Sequence, residues 1–262
     1  LLPLVKRPAY EPGDWKVLAL ATLFIPCLYF TLEGFAIRFT SSSQAGVIAA
    51  VMPLIVAISA WAVLRERPSR RTIGAILVTM AGVAVLSLGG ASPAAAPNPV
   101  LGNLLELAAM LAAAGSTLTI KRLTTRYDPL LITGLQMGVG SVFFAPLALA
   151  SGPVDWAAVP ANAWLAVGYL GIGCGLGAFG LYTSGLRLVP ATRAALTINL
   201  VPAVALVTGW LALGETMSPF QIGACVLIVG SVAYAELGGR RTPPSAGAPE
   251  PDDLPLAGRT GG

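Results

Sequence analysis

Five long runs without a single Asp, Glu, Lys or Arg constrain this chain more than any other feature of its sequence. They extend over residues 39–64, 129–154, 156–186, 194–214 and 216–235. Each run matches or exceeds the ~20 apolar residues that a helix needs to cross a bilayer core. The chain is 55% hydrophobic and 11% charged, whereas a soluble domain is about 25% charged. A soluble bundle of such helices would have too little polar surface, so the sequence predicts a multi-pass membrane protein.

Polar, Pro-rich segments and short charged turns divide the chain into eight predicted spans. Residues 238–262 are rich in Pro, Gly and charge, which predicts a disordered tail. The three cysteines all fall inside apolar runs and the chain has no histidine, so no metal site, disulfide or cofactor is predicted. The predicted spans cover residues 16–38, 43–64, 71–90, 101–121, 129–151, 163–187, 192–213 and 219–237.

The distribution of positive charge predicts the orientation of the spans. When the connections are numbered alternately, every Lys and Arg except Arg38 falls on one side. Cytoplasmic loops carry such an excess of Lys and Arg. The rich side, which includes the C-terminal tail, is therefore predicted to face the cytoplasm, across a bacterial plasma (inner) membrane. This explains the net charge of +4 without a nucleic-acid partner.

The sequence repeats itself at an offset of 149 positions. The phrase W-x-x-L-x-E-x-x-S-x-x-x-I-G-A occurs from Trp61 to Ala75 and again from Trp210 to Ala224. The same offset pairs Pro53 with Pro202. These matches indicate an internal duplication.

The duplication predicts two inverted halves of five spans each. Residues 100–162 hold two spans of the second copy, and their counterparts would precede residue 1. The first repeat, residues 1–90, is therefore expected to lack its first two helices, followed by a linker at 91–100 and the second repeat at 101–237. Because five is odd, the second copy enters the membrane from the opposite face, as in many secondary transporters. The alternative, a natural eight-span protein, leaves residues 100–162 unmatched.

These motifs resemble a known family of membrane proteins. An A-x-x-x-x-x-x-x-P-L helix from Ala45 to Leu54, the repeated phrase, and G-V-A-V-L from Gly82 to Leu86 resemble the EamA-type permeases of the drug/metabolite transporter superfamily. The resemblance covers roughly residues 1–237. It implies an all-α polytopic membrane protein with an inverted 5 + 5 repeat, of which about eight spans are present here. It also implies a permease that exports amino acids or other small metabolites.

The repeated phrase is interpreted as a structural joint between two antiparallel spans. A serine of each copy suits the N-cap of the following helix. The glutamates are expected to accept hydrogen bonds from that helix's free N–H groups, and the tryptophans to lie at the membrane interface. The joint residues are Trp61, Glu66, Ser69, Trp210, Glu215 and Ser218.

Four polar residues inside predicted spans are candidates for lining a substrate cavity. Glu33 lies deep in the first span, where a carboxylate is costly and marks an ion or substrate path; its alternatives are pairing with Arg38 or reaching the outer interface. Tyr182 occupies the equivalent position in the second copy. Gln136 and Asn199 can bind either a substrate or a neighbouring helix.

Pro53 and Pro202 interrupt equivalent spans, which predicts paired kinks that serve either gating or static packing. Glu106 is the other carboxylate within a span, and its place near the predicted outer end indicates an interfacial position.

The sequence thus favours a secondary transporter that works by alternating access, with a small-molecule substrate, a lipid bilayer around it and protons as a candidate coupling ion. A homodimer is one assembly open to it. The alternatives are a non-transporting membrane subunit or a truncated relic. A membrane-embedded enzyme is disfavoured, because histidine is absent and membrane carboxylates are scarce.

Overall fold

The computed structural model describes residues 10–40, 42–89, 97–150, 152, 158–213 and 219–237, and every regular element among them is helical. Each of the eight predicted spans coincides with helical residues. The helices are α1 (Asp14–Thr22), α2 (Tyr29–Phe39), α3 (Ser42–Ala49), α4 (Met52–Leu64), α5 (Arg70–Gly89), α6 (Pro99–Leu123), α7 (Pro129–Ala150), α8 (Ala161–Gly168), α9 (Phe179–Leu188), α10 (Ala191–Ile198), α11 (Val201–Leu213) and α12 (Pro219–Leu237). π-Helical segments join α1 to α2 (Leu23–Leu28) and α8 to α9 (Tyr169–Ala178).

Five of these continuous helical segments are long and apolar enough to cross a membrane, as judged over the described residues alone. A sixth, shorter apolar helix covers Pro219–Ala235. The five segments are Asp14–Phe39, Gln44–Leu64, Pro99–Leu123, Pro129–Ala150 and Ala161–Leu188. The chain is therefore an all-α polytopic membrane protein.

The two copies of the repeat have the same irregularities at equivalent positions. At the offset of 149 residues, the bounds of α3 and α4 become those of α10 and α11. Both copies thus break their second shared span, at residues 50–51 and at residues 199–200. Both also insert a π-helical segment into the first shared span. The duplication therefore repeats the backbone as well as the sequence.

Equivalent spans of the two copies run in opposite directions. The first residue of α1, Asp14, contacts Arg126, just after the end of α6. Lys121, near the same end of α6, contacts the end of α9 at Leu186 and Val189. The start of one span and the end of its repeat partner therefore lie at the same end of the bundle, so the halves are inverted. We call this end, where the Lys- and Arg-rich connections meet, the basic end.

The central element of the fold is α6. It packs against α1, α2, α3, α4, α9 and α10, and so touches elements of both copies. Its inward face is rich in small residues, with Ala109, Ala113 and Ala114 buried in the largest hydrophobic cluster. Small side chains let neighbouring helix backbones approach closely, which is how helices associate without a hydrophobic driving force in lipid.

A polar cluster fastens the start of α1 to the connection between α6 and α7. The Arg126 guanidinium forms ion pairs with Glu11 and with Asp14, whose Oδ1 lies 3.0 Å from Nη2. The Tyr127 hydroxyl donates a hydrogen bond of 3.0 Å to Asp14 Oδ2. Burial, together with that hydrogen bond, raises the pKa of Tyr127. This cluster fixes the register of α1 against α6 at the basic end.

The π-helical segment after α1 packs closely on α7. Ile25 has an extended backbone (φ −130°, ψ 124°), and Pro26 follows it inside the helix. A Cβ placed on Gly140 would lie 2.6 Å from Pro26 Cγ, so only glycine lets the two segments meet. A Cβ on Gly138 would have no neighbour within 4 Å.

Gly140→Ala should therefore destabilise the protein, because the proline ring cannot yield as a flexible side chain would. We expect a loss of about 1–3 kcal/mol, the usual range for an overpacked core. Unfolding by SDS titration in mixed micelles measures it. Gly138→Ala, two residues earlier on the same helix, is the matched control. It should leave the free energy of unfolding unchanged or raise it slightly. Equal behaviour of the two variants would contradict this packing.

Candidate functional site

The two broken spans cross at their breaks. The Asn199 side-chain amide Nδ2 lies 3.4 Å from the carbonyl oxygen of Ala50 and 3.1 Å from the Thr79 hydroxyl. Asn199 and Ala50 are repeat-equivalent positions, so the pseudo-two-fold relation between the copies passes through this contact. Asn199 and Thr79 are buried, at 4% and 0% exposure. The crossing is therefore a closed polar contact between the two halves.

The prolines explain why the spans break where they do. Proline has no N–H to donate and its ring clashes with the preceding turn. Pro53 and Pro202 stand in the first turns of α4 and α11, directly after the breaks. The Leu54 N–H bonds to Val51 instead of Ala50, which leaves the Ala50 carbonyl to Asn199. Both spans are interrupted directly before these prolines, and Asn199 of the second copy caps the break in the first.

Gln136 caps a different break. Its Nε2 donates to the carbonyl oxygens of Ile25 at 3.0 Å and Ala21 at 3.3 Å, on either side of the extended residue that interrupts the first span. It also approaches the Ser116 hydroxyl at 3.5 Å. The side chain is 1% exposed, and its Oε1 has no hydrogen-bond partner. Its donors therefore serve the backbone of the neighbouring helix.

Tyr182 contacts α6 next to Ser116, the residue that Gln136 approaches. Its hydroxyl shares a hydrogen bond of 3.3 Å with Thr117, the residue after Ser116 on α6. One turn away, the Thr133 hydroxyl lies 3.3 Å from that of Thr183. The fold therefore brings Gln136 and Tyr182 together, within the third of the bundle nearer the basic end.

Glu33 lies in the opposite third of the bundle. Its Oε1 accepts a hydrogen bond of 2.7 Å from the Tyr29 hydroxyl, one turn earlier on the same face of α2. At the end opposite the basic end, α2 and α6 are held together by the Asn98 N–H, which donates to the Phe39 carbonyl at 3.2 Å. Glu33 is therefore about 9 Å below that end of the bundle, at 1.5 Å per residue. Among the described residues it forms no ion pair with Arg38, which is exposed.

Glu106 is buried within the bundle on α6, which packs against α2, and the interfacial depth expected for it stays a prediction. Its side chain is 2% exposed, and its Oε2 has no hydrogen-bond partner. Its place in the first third of α6 agrees with the sequence, which gave no sign that the side chain would be buried.

The four cavity candidates are therefore not gathered at one point. Glu33 bonds to Tyr29 towards the end of the bundle opposite the basic end, whereas Tyr182 bonds to Thr117 in the third nearer the basic end. Asn199 lies at the crossing of the broken spans. The two apolar grooves that the structure describes lie elsewhere, one at the α4–α5 joint beside Trp61 and one between α5 and α12.

Charged side chains at the basic end cap helices of both copies. Lys121 Nζ donates to the carbonyls of Leu186 and Val189, both at 2.7 Å, at the end of α9. Arg122 donates to the Val63 carbonyl at the end of α4 at 3.5 Å. A cation near a helix C-terminus is favoured by the helix dipole. These contacts close the bundle at this end.

Glu66 corrects one expectation about the joint. Its Oε2 accepts a hydrogen bond of 2.9 Å from the backbone N–H of Ala191, the first residue of α10. Sequence reasoning placed its partner in the next helix along the chain, α5, whereas the partner belongs to the other copy. Ser69 caps α5 itself, because its hydroxyl accepts from the Thr72 N–H at 3.1 Å.

The remaining joint residues are placed as follows. Trp61 lies one turn before the end of α4, with 58% of its side chain exposed. Trp210 lies in α11. Glu215 and Ser218 fall outside the described residues.

The glycine-rich segment after α8 packs unevenly. A Cβ on Gly171 would meet no atom within 4 Å, whereas a Cβ on Gly175 would lie 3.2 Å from Met137 Sδ of α7. The segment Tyr169–Ala178 is π-helical, and none of its residues is buried.

Comparisons with known proteins agree with one another. The model of the EamA-like transporter family matches residues 1–88 and again residues 100–235. The chain is 29% identical over 227 residues to "Uncharacterized transporter YetK" of Bacillus subtilis, covering 84% of this chain and 68% of that protein. It is 28% identical over 225 residues to "Uncharacterized transporter YcxC" of the same organism, covering 82% and 71%.

More distant matches extend the likeness. An "Uncharacterized transporter" of Archaeoglobus fulgidus is 23% identical over 228 residues, covering 86% of this chain and 78% of that protein. A solved structure described as "Crystal structure of protein" has the same fold, with a TM-score of 0.73 at 23% identity over 89% of this chain and 79% of that one.

Asn199→Ala should destabilise the crossing of the broken spans, because the Ala50 carbonyl and the Thr79 hydroxyl lose their shared partner. We expect a loss of about 1 kcal/mol, between the values for hydrogen bonds in membrane and in soluble proteins. The free energy of unfolding in mixed micelles is the measurement. Ser141→Ala is the control, since that exposed hydroxyl bonds only its own helix at Met137. An equal, negligible effect of both would show that Asn199 does not hold the two halves together.

Proposed function

The chain belongs to the EamA-like transporter family, and on that premise we propose that it is a secondary transporter that exports small metabolites by alternating access. Amino acids and drug-like compounds are the substrate classes we propose first. In this proposal the protein moves its substrate without changing it chemically. Its relatives YetK and YcxC carry the word transporter in their names, which supports transport at this coarser level.

The observation that carries the mechanism is the contact between Asn199 and Ala50. It joins two helices that are broken at equivalent positions in inverted copies. A broken helix has two short rigid arms that can tilt separately, and carriers built from inverted repeats place their substrate at such breaks. We propose that the halves rock about this crossing, so that access to the interior alternates between the two ends.

The contacts at the two ends differ in kind, which supports closure of each in turn. At the basic end, Glu66 of the α4–α5 connection accepts a hydrogen bond from Ala191 of α10. Lys121 of α6 donates to the Leu186 carbonyl of α9 at the same end. At the opposite end, the Thr40 hydroxyl bonds Asn103 at 2.6 Å. We propose that the contacts at one end loosen while those at the other hold.

The orientation that we propose follows from the charge of the connections. Excess Lys and Arg marks cytoplasmic loops, so the basic end faces the cytoplasm, together with the C-terminal tail at residues 238–262. The membrane is the plasma membrane of a bacterium. The repeats extend over residues 1–90 and 101–237, joined by the linker at 91–100.

The substrate contacts that we propose are Glu33, Gln136, Tyr182 and Asn199. In the described conformation Gln136, Tyr182 and Asn199 bond to neighbouring helices, whereas Glu33 bonds to Tyr29 of its own helix. Rocking of the halves would separate the first three from their partners and turn all four groups towards a cavity. We also propose protons as the coupling ion, with Glu33 on their path, because intramembrane carboxylates mark such paths. No contact among the described residues bears on a homodimer, which stays a prediction.

Export can be tested in proteoliposomes that contain the full chain. Vesicles loaded with a mixture of the twenty amino acids and a set of amphipathic drugs are placed in a proton gradient, and the external compounds are quantified by mass spectrometry. At least one compound should leave faster than from protein-free vesicles, and faster with the gradient than without it.

Glu33→Gln should abolish the dependence on the gradient while leaving the fold intact. Glu250→Gln, a carboxylate of the C-terminal tail outside the predicted spans, is the control and should transport normally. Equal gradient dependence in Glu33→Gln would remove Glu33 from the proton path. Efflux no faster than from empty vesicles for every compound would contradict export of these classes.

A further inference from the structure

An apolar groove lies on the outside of the bundle, beside the joint of the first repeat. It runs between the end of α4 and the start of α5 and has a volume of about 330 Å³, which is within the range of ligand pockets. Ile58 and Trp61 in its walls are each 58% exposed, so the groove presents apolar surface that the described part of the chain leaves open. Its lining residues are Ala57, Ile58, Trp61, Arg67, Pro68 and Ile73.

Two arginines lie at the mouth of this groove. Arg67 lines it directly. Arg70 is the first residue of α5, one turn before Ile73, and residues three apart share one face of a helix. Both arginines are exposed. Arg71 lies on another side of α5, because its Cζ is 5.6 Å from the centre of the Tyr234 ring in α12.

The charges of Arg67 and Arg70 are not neutralised within the part of the chain that the structure describes. The ion pairs found there belong to Arg126. Glu66, which precedes Arg67, accepts its hydrogen bond from the backbone N–H of Ala191 in α10. The positive charge at the groove is therefore available to an external anion.

The second repeat contains the same phrase without these arginines. At the offset of 149 positions the tryptophan and the isoleucine of the groove recur unchanged, whereas Arg67 becomes Thr216 and Arg70 becomes Pro219. An excess of arginine on one side orients a membrane protein wherever in a short loop it falls. Orientation alone therefore does not explain why an arginine lines an apolar groove next to an interfacial tryptophan.

We propose that the groove binds an anionic phospholipid of the leaflet at the basic end, with the phosphate on Arg67 and Arg70 and an acyl chain along Trp61 and Ile58. A guanidinium is weakly hydrated, and its fork of N–H donors matches two oxygens of a phosphate. Arg67 lies beyond the end of α4, Trp61 one turn inside it and Ile58 nearly a turn deeper. This order, from charge to interface to apolar wall, is the order in which a lipid presents its head group and chain. The inference needs the membrane fold and does not rest on transport.

Quenching of Trp61 fluorescence by brominated lipids tests the site. The full chain carries Trp15→Phe, Trp156→Phe, Trp164→Phe and Trp210→Phe, so that Trp61 alone reports. Liposomes of phosphatidylcholine receive increasing fractions of either dibrominated phosphatidylglycerol or dibrominated phosphatidylcholine with the same chains. Phosphatidylglycerol should quench Trp61 at the lower fraction, with a preference of roughly fivefold for each arginine that contacts it.

Arg67→Gln and Arg70→Gln should each lower this preference roughly fivefold, because each removes one positive charge from the phosphate. Arg187→Gln is the matched control. It removes the same charge from an exposed residue at the same end of the bundle that does not line the groove, and it should leave the preference unchanged. A chain that keeps Trp210 alone reports on the phrase without arginines and should be quenched equally by both lipids.

Equal quenching of Trp61 by the two lipids would overturn the proposal, and so would an equal loss of preference in Arg67→Gln and Arg187→Gln. If neither lipid quenches Trp61, protein such as a second copy of the chain occupies the groove, which also overturns it. Native mass spectrometry of the chain with all its tryptophans is a second measurement. It should retain phosphatidylglycerol over phosphatidylcholine, and Arg67→Gln should weaken that retention where Arg187→Gln does not. Retention of both lipids alike would contradict the site.

Discussion

The fold depends on one constraint: in the apolar interior of a membrane, a backbone carbonyl that leaves its helix must find another partner. Three interruptions of helices are met by side chains from elsewhere in the chain. Gln136 donates to the carbonyls around Ile25, and Asn199 donates to Ala50. At the basic end, Lys121 donates to the end of α9. Each of these bonds joins helices that are distant in sequence, so the same residues that satisfy the backbone also determine how the helices are arranged.

The inverted duplication gives these interruptions a function beyond packing. A single broken helix is a local irregularity, whereas two that are equivalent and in contact form a crossing shared by both halves. α6 completes the arrangement, because its small residues let α2, α4 and α10 pack around it. Its two polar groups, near Glu106 and near Thr117, face different ends of the bundle. A motion that opens one end would therefore expose one group and cover the other.

Features that depend on local sequence could be predicted, and features that depend on distant contacts could not. The spans follow from charge-free runs, and the breaks from Pro53 and Pro202, because apolar length and a missing N–H act within a few residues of the chain. The inversion of the two copies follows from the repeat offset of 149 positions and from the odd number of spans in each copy. The partner of Glu66 was misplaced, since only the tertiary arrangement brings α10 to the α4–α5 joint. Likewise, the side chain of Glu106 is 2% exposed, a burial that its position in the sequence did not indicate.

The central claim is that the two halves rock about the crossing of their broken helices. Distances between pairs of nitroxide spin labels, measured by double electron–electron resonance, test it most directly. The native cysteines Cys27, Cys174 and Cys225 are first replaced by serine. One label pair on exposed residues at the basic end (Arg67 and Arg187) and one at the opposite end (Ile37 and Phe220) each join the two halves and report on the two openings. In liposomes, the account predicts that a change of pH lengthens one distance while it shortens the other. Distances that stay constant at both ends, or that lengthen together, would contradict it.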